Sequence, residues 1–272
     1  MPDWFTQLSP WMQALLAGGF TWGMTLTGAL VVLFKRDLPP VLLDMMLGFA
    51  GGVMIAASFW SLLAPGIEIA ETSAGIPAWV VAAGGFVLGA LVLRALDALI
   101  PHMHPSLART EGPRSEMKQS TLLFLAMTIH NIPEGLAVGV AFGAVAHEAN
   151  FALGASYASA VALALGIGIQ NLPEGLSVAM PMRRAGLSPW KCFHIGHLSA
   201  IVEPVAAVLG AWLVFEVQAI LPWALCFAAG AMIYVVVEEL IPESQANHRI
   251  DLATLSCIAG FTVMMILDVA LG

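Results

Sequence analysis

Eight stretches of this chain are each about twenty residues long and almost wholly apolar, and nothing else in the sequence constrains its fold as strongly. They run over residues 12–34, 41–64, 78–100, 121–145, 155–181, 190–213, 217–240 and 252–271. About twenty apolar residues in a helix cross the hydrocarbon core of a bilayer. Only closed backbone hydrogen bonding survives there, so the expected form is an all-α integral membrane protein with eight transmembrane helices. Composition agrees: 59% of the 272 residues are hydrophobic, 10% are charged, and the mean hydropathy is +0.87. A soluble domain of this size needs far more polar surface. We read residues 1–272 as a single eight-helix domain, and the first apolar run as a retained span, because MPDWFTQLSP lacks a basic n-region.

The basic residues orient the spans. Lys35 and Arg36 lie between spans 1 and 2. Arg94 ends span 3, and Arg109, Arg114 and Lys118 follow it. Arg183, Arg184 and Lys191 lie between spans 5 and 6, and Arg249 between spans 7 and 8. All ten Lys and Arg thus fall on one side, which the positive-inside rule makes cytoplasmic, together with the loop 101–120. Both termini are then outside the cell, and the expected location is the cell (inner) membrane. The net charge of −8 excludes a basic nucleic-acid surface. Cys192, Cys226 and Cys257 have no CxxC spacing and read as small apolar fillers.

Internal similarity suggests an inverted 3+2+3 repeat. LGFAGGVMI (47–55) in span 2 is echoed by LCFAAGAMI (225–233) in span 7, and Leu96-Asp97 by Leu267-Asp268. HNIPEGLAVGV (130–140) in span 4 is echoed by QNLPEGLSVAM (170–180) in span 5. Inverted repeats with interrupted helices are a transporter signature. The small-residue faces of spans 2 and 7 also suit close helix contact between two copies, so a homodimer is expected.

The doubled motif is costly. A carboxylate at the centre of a membrane helix costs ~2.5–3.5 kcal/mol on the lenient insertion scale, so Glu134, Glu174 and Glu203 together cost roughly 8–10 kcal/mol if unpaired. No Lys or Arg lies deep enough to neutralise them, which leaves a metal ion or protons as the compensating charge. His130, Asn131 and Glu134 share one helix face by their spacing, and Gln170, Asn171 and Glu174 share another. Glu134, Gln170 and Glu203 lie at a common depth, ~18–20 Å from the cytoplasmic ends at 1.5 Å per residue. Spans 4 and 5 are antiparallel, so His130 falls level with Glu174. Pro133, Pro173 and Pro204 each remove a backbone donor, and are expected to bend their helices and free carbonyl oxygen beside the cluster. Carboxylate, imidazole, amide and backbone oxygen together suit Zn²⁺, Mn²⁺ or Fe²⁺.

HNxPEG, a matching xNxPEG and a following EP resemble the ZIP (Zrt-, Irt-like protein) family of divalent metal-ion transporters, in its bacterial branch. DMMLGFAGG, VVVEELIPES and ILDVALG extend the resemblance over nearly the whole chain. The resemblance implies uptake of divalent metal into the cytoplasm through a binuclear midplane centre, by an elevator-like shift of the metal-carrying helices. One site would use His130, Glu134, Gln170, Glu174 and Glu203; its neighbour would use Asn131, Asn171 and the same three glutamates. Close members of the family carry Asp at the position of Asn171, which weakens the second site. Zinc is the expected cargo, with Cd, Fe and Mn as further substrates and no prosthetic group; the partners are these ions and the lipid bilayer. Asp44, Glu238 and Glu239 at the inner ends, Asp268 at the outer end, and His102 and His104 in the reduced PHMHP loop are candidate pathway residues. His194 and His197 read as packing residues. The rivals are an intramembrane metal-dependent hydrolase, for which HExxH and GxSxG are lacking, and a metal sensor that binds without transport.

Overall fold

The computed structural model describes residues 2–72, 75–104, 109–111, 119–145, 156–246 and 249–271. Eight long helices account for most of these residues: Pro10–Phe34, Pro40–Thr72, Ala78–Leu99, Gln119–Val145, Tyr157–Arg184, Pro189–Glu216, Leu221–Ser244 and Ile250–Leu271. They are spans 1 to 8, and every apolar run read from the sequence falls on one of them. Ser156 starts span 5 with a reciprocal Ser156–Ser159 capping box, and the Ser188 hydroxyl accepts the Lys191 N–H at the start of span 6. The departure from pure helix among the described residues is a short antiparallel ladder, His102–His104 with Arg109–Glu111, between spans 3 and 4.

Spans 2 and 7 both run on past the ends expected for them, and the reason is the same in each. Span 2 passes through a π-helical segment, Ser58–Leu63, and continues to Thr72; span 7 passes through Val236–Leu240 and continues to Ser244. Each segment is followed at once by a proline, Pro65 or Pro242. Proline lacks the N–H for the carbonyl one turn back and its ring collides with that carbonyl. Widening the preceding turn removes the conflict: Ala64 N–H donates to Phe59 O, and Ile241 N–H to Val236 O, five residues back in each case. Apolar-run counting ends a span at such a proline, whereas the backbone passes it.

The expected bends fall differently. Helix is continuous through Pro133 and Pro173, whereas span 6 is interrupted at residues 199–201 between Pro189–Leu198 and Val202–Glu216. Glu203-Pro204 therefore occupies the first turn of a new helix, where a missing proline N–H costs nothing.

Sequence neighbours are not the main packing partners. Span 1 lies against span 5, span 2 against span 8, span 3 against span 7, and span 4 against span 6. Spans 2, 4 and 5 form the interior, with 67%, 67% and 72% of their most apolar stretches buried, against 22% and 17% for spans 3 and 8. The outer faces of spans 3 and 8 present Trp79, Leu91, Leu255 and Val269. On one end of the bundle Arg184 forms an ion pair with Asp37 and also donates to Leu38 O, so the 1–2 and 5–6 connections lie on the same side. The small-residue faces of spans 2 and 7 are already used within the chain: a Cβ on Gly52 would overlap the Cys257 carbonyl oxygen, and one on Gly230 that of Phe86. Cys192 and Cys226 are buried and unpaired, in keeping with a filler role.

The glycine of each PEG triplet sets the spacing around the polar residues. A Cβ on Gly135 would lie 2.5 Å from the Glu203 carbonyl oxygen and 2.7 Å from its Cα, so span 4 touches span 6 beside Glu203. A Cβ on Gly175 would overlap the Thr25 carbonyl oxygen of span 1. Gly135→Val and Gly175→Val are therefore expected to destabilise the protein by ~1–3 kcal/mol or more, since backbone cannot yield as a side-chain tip does. Thermal unfolding in detergent should show both losses, while Gly19→Ala, where nothing lies within 4 Å of the added carbon, leaves the midpoint unchanged or raises it.

Candidate metal centre

Spans 4, 5 and 6 bring His130, Asn131, Glu134, Gln170, Asn171, Glu174 and Glu203 together in the interior, none more than 1% exposed. One helical turn separates His130 from Glu134, and His130 Nε2 lies 3.5 Å from Glu134 Oε1. The antiparallel neighbour puts Glu174 Oε1 3.4 Å from the same nitrogen. Ligand atoms of His130, Glu134 and Glu174 lie within 4.8 Å of one another, the spacing of a metal-binding cluster. Gln170 donates to Glu134 Oε1 at 2.6 Å, leaving its own Oε1 as an acceptor.

The remaining residues form a second group. Asn171 Nδ2 donates to both Glu203 oxygens, at 2.9 and 2.8 Å, and faces the Thr21 carbonyl oxygen of span 1 at 3.2 Å. Asn131 turns its Nδ2 to the Met127 carbonyl of its own helix at 2.7 Å. Glu203 is in the first turn of Val202–Glu216, where the helix dipole favours negative charge. The break in span 6 thus does for Glu203 what a basic side chain would do elsewhere.

Partner accounting distinguishes the centre from an ordinary buried network. Eight buried polar atoms here have no hydrogen-bond partner: both His130 nitrogens, both Glu174 carboxylate oxygens, Glu134 Oε2, Gln170 Oε1, Asn131 Oδ1 and Asn171 Oδ1. Leaving one such atom unsatisfied costs ~1–3 kcal/mol. Among the described residues, no Lys or Arg forms an ion pair with the three glutamates. Six of the eight are oxygens and two are imidazole nitrogens, a donor set that suits a dication of intermediate hardness. By contrast, an apolar cavity of about 290 Å³ bounded by Gly85, Leu136, Gly210, Trp223 and Phe227 has no titratable group in its lining.

Glu239 is placed differently from its expected position at the inner end of span 7. It reaches the centre, with Oε2 3.5 Å from His130 Nδ1. The π-helical turn at Val236–Leu240 accounts for this, because one extra residue in a turn rotates the rest of the helix by ~100° about its axis. An acid inside an apolar run, shortly before a proline, was the available signal. Glu238 is half-buried beside it. Asp44 is buried in span 2, and Asp268 is buried as well, accepting the Ser61 hydroxyl at 2.6 Å rather than lining an exposed end. Ser61 belongs to the π-helical segment of span 2, so this contact, like that of Glu239, depends on a widened turn. Thr21 contributes through its backbone carbonyl, for which a sequence has no signature. The backbones of His102 and His104 lie in the short ladder, and their side chains, with Arg114 and Lys118, fall outside the described residues. His194 Nδ1 and His197 Nε2 are 3.2 Å apart in an aromatic cluster with Trp190, Phe193 and Trp22, a packing arrangement apart from the centre.

Comparison with known proteins supplies the family. A model of the ZIP zinc transporter family matches residues 114–268, which include spans 4, 5 and 6. The chain is 41% identical to zinc transporter ZIP11 of Homo sapiens, over 96% of this chain and 97% of that protein. It is 40% identical to zinc transporter GufA of Myxococcus xanthus, over 96% and 98%. It is 38% identical to zinc transporter ZIPB of Bordetella bronchiseptica, over 95% and 81%. With eight membrane-crossing helices and a buried His and Glu cluster on the matched segment, this chain is a multi-pass membrane protein that belongs to the ZIP zinc transporter family.

Proposed function

We propose that this chain carries divalent transition-metal ions, zinc foremost, across the cell (inner) membrane into the cytoplasm, with Fe²⁺, Mn²⁺ and Cd²⁺ as further cargo. The observation that carries the proposal is the group of eight buried polar atoms around His130, Glu134 and Glu174 that have no hydrogen-bond partner among the described residues, deep among apolar spans and with no described Lys or Arg paired to them. A mobile dication satisfies those atoms and offsets the buried charge; a resident structural zinc would more commonly be closed by Cys and His. His130 supplies the intermediate softness that zinc prefers over calcium or magnesium. Gln170, Asn131, Asn171 and Glu203 complete the polar lining.

Direction and release follow from charge. Every Lys and Arg lies in a loop or span end of one side, which supports a cytoplasmic loop 101–120 and both termini outside. Glu239, touching His130 from span 7, is placed to draw an ion off the centre toward Glu238 and Asp44 on the inner side. On the outer half, Asp268 with Ser61 stands on the approach. The inverted repeat is supported by packing. Exchanging spans 1–3 with 6–8, and 4 with 5, turns the 2–8 pair into 7–3 and the 4–6 pair into 5–1, and the π-helical segments of spans 2 and 7 correspond. The eight spans then work as one domain. A homodimer would use the exposed faces of spans 3 and 8, since the small-residue faces of spans 2 and 7 are covered within the chain.

Transport and not hydrolysis or sensing is the reading that the zinc transporter relatives favour. Purified protein in liposomes should take up Zn²⁺ with saturation. Outer-shell changes around a metal cost ~10–100-fold in affinity, so Glu134→Ala or Glu174→Ala should lower uptake by more than about 100-fold. Uptake that survives either substitution would falsify the assignment. Saturable binding with no flux would instead favour the sensor.

Proton competition gives a second test. An ion binds deprotonated carboxylates and neutral imidazole, so binding releases protons and acidification opposes it. Initial Zn²⁺ uptake should therefore fall as pH is lowered from ~7.5 to ~5.5. The fall should take the form of a raised half-saturation concentration, which excess Zn²⁺ overcomes.

A further inference from the structure

The seven polar residues of the centre are not equivalent, and their division bears on how many ions it holds. Asn171 Nδ2 is surrounded by three acceptor oxygens, Glu203 Oε1 and Oε2 and Thr21 O, at 2.8 to 3.2 Å. An amide so placed has one orientation: reversing it would set Oδ1 against three other oxygens. Both oxygens of Glu203 are engaged by that single N–H₂ group. The mutually close ligand atoms belong to His130, Glu134 and Glu174, a group that leaves Glu203 out.

The hydrogen bonds lead to the same division: a second dication on Glu203 would have to lie where the Asn171 N–H₂ group meets its carboxylate.

We propose that the centre holds one dication at a time, on His130, Glu134 and Glu174 with Gln170 alongside, and that the Asn171 N–H₂ group takes the place of a second cation. Glu203 is then an anion held by hydrogen bonds, not a bridging ligand. This rests on the metal-transport reading of the same residues, and replaces the two-ion centre that family resemblance implies. Asn171 is a positioning and stoichiometry-determining residue: an N–H₂ group restrains Glu203 without repelling the bound ion or inviting another.

The test counts ions. Protein in lipid nanodiscs, carrying His102→Ala and His104→Ala to remove loop ligands, is dialysed to equilibrium against Zn²⁺, and bound zinc per chain is measured. X-ray absorption at the zinc edge then looks for a metal neighbour at the ~3.5–4 Å of two-metal sites. The expected result is one zinc per chain and no metal neighbour, with two zincs and a metal neighbour in Asn171→Asp. Two zincs and a metal neighbour with Asn171 in place would overturn the proposal. So would a single zinc in Asn171→Asp that elutes as a monodisperse particle. No bound zinc with Asn171 in place would overturn the metal-site reading itself, and this inference with it.

Discussion

Three carboxylates buried in a low-dielectric interior repel one another and each loses its hydration, and neither cost is met by a lysine or arginine among the described residues. Everything specific about this molecule is arranged around that imbalance. Spans 2, 4 and 5 are the most buried helices, and 4 and 5 carry most of the groups that lipid would not tolerate. Gly135 and Gly175 hold spans 6 and 1 close enough that the polar residues face protein and not hydrocarbon. The break in span 6 turns a helix start toward Glu203 and so provides a fixed partial positive charge where no arginine lies. The atoms left without a hydrogen-bond partner lie on His130, Glu134 and Glu174 with their amide neighbours, which is where the proposed dication would supply the charge the protein lacks.

The proline residues show how one chemical deficit serves different ends according to position. Pro65 and Pro242 come directly after widened turns that let spans 2 and 7 run on past them. Those widened turns carry Ser61 and Glu239, whose side chains reach Asp268 and His130 on other spans. Pro204 lies just inside a helix start, where its missing donor is harmless. Pro133 and Pro173 leave their helices continuous and withdraw a donor within the same turn as the candidate ligands. A π-helical turn at a functional position is a recurrent device, because it changes which face a side chain presents without ending the helix.

Much of the centre was legible before any coordinates. Glu134 and Glu174 stand out because ionised groups in apolar runs are expensive, and the His130–Glu174 contact followed from antiparallel spans and equal depth. The separation of Gln170 from Asn171 came from the family resemblance and not from spacing or depth. Asn171 and Gln170 occupy adjacent positions in one motif, yet Gln170 serves Glu134 and Asn171 serves Glu203, since neighbouring residues on a helix point ~100° apart toward different spans. Glu239 was read as a pathway residue at the inner end of span 7; that it also reaches His130 depends on a π-helical turn that the sequence did not reveal. The small-residue faces of spans 2 and 7 were read as surfaces for another copy, because a sequence records that a face is smooth but not which helix lies on it.

From sequence alone came the number of spans, the side on which the basic residues lie, and the depth and identity of the polar groups. These are local properties: about twenty residues in helix cross a bilayer, and a charge costs what its immediate surroundings dictate. Only the tertiary structure decided that span 1 packs on 5, 2 on 8, 3 on 7 and 4 on 6, that Glu239 reaches His130, and that Glu203 is held by Asn171. Each of these depends on how a helix is rotated about its own axis and which distant helix it meets. Apolar residues are nearly interchangeable in that choice, because lipid and protein interiors are almost equally apolar; close packing of small residues and the few hydrogen bonds between helices make the decision.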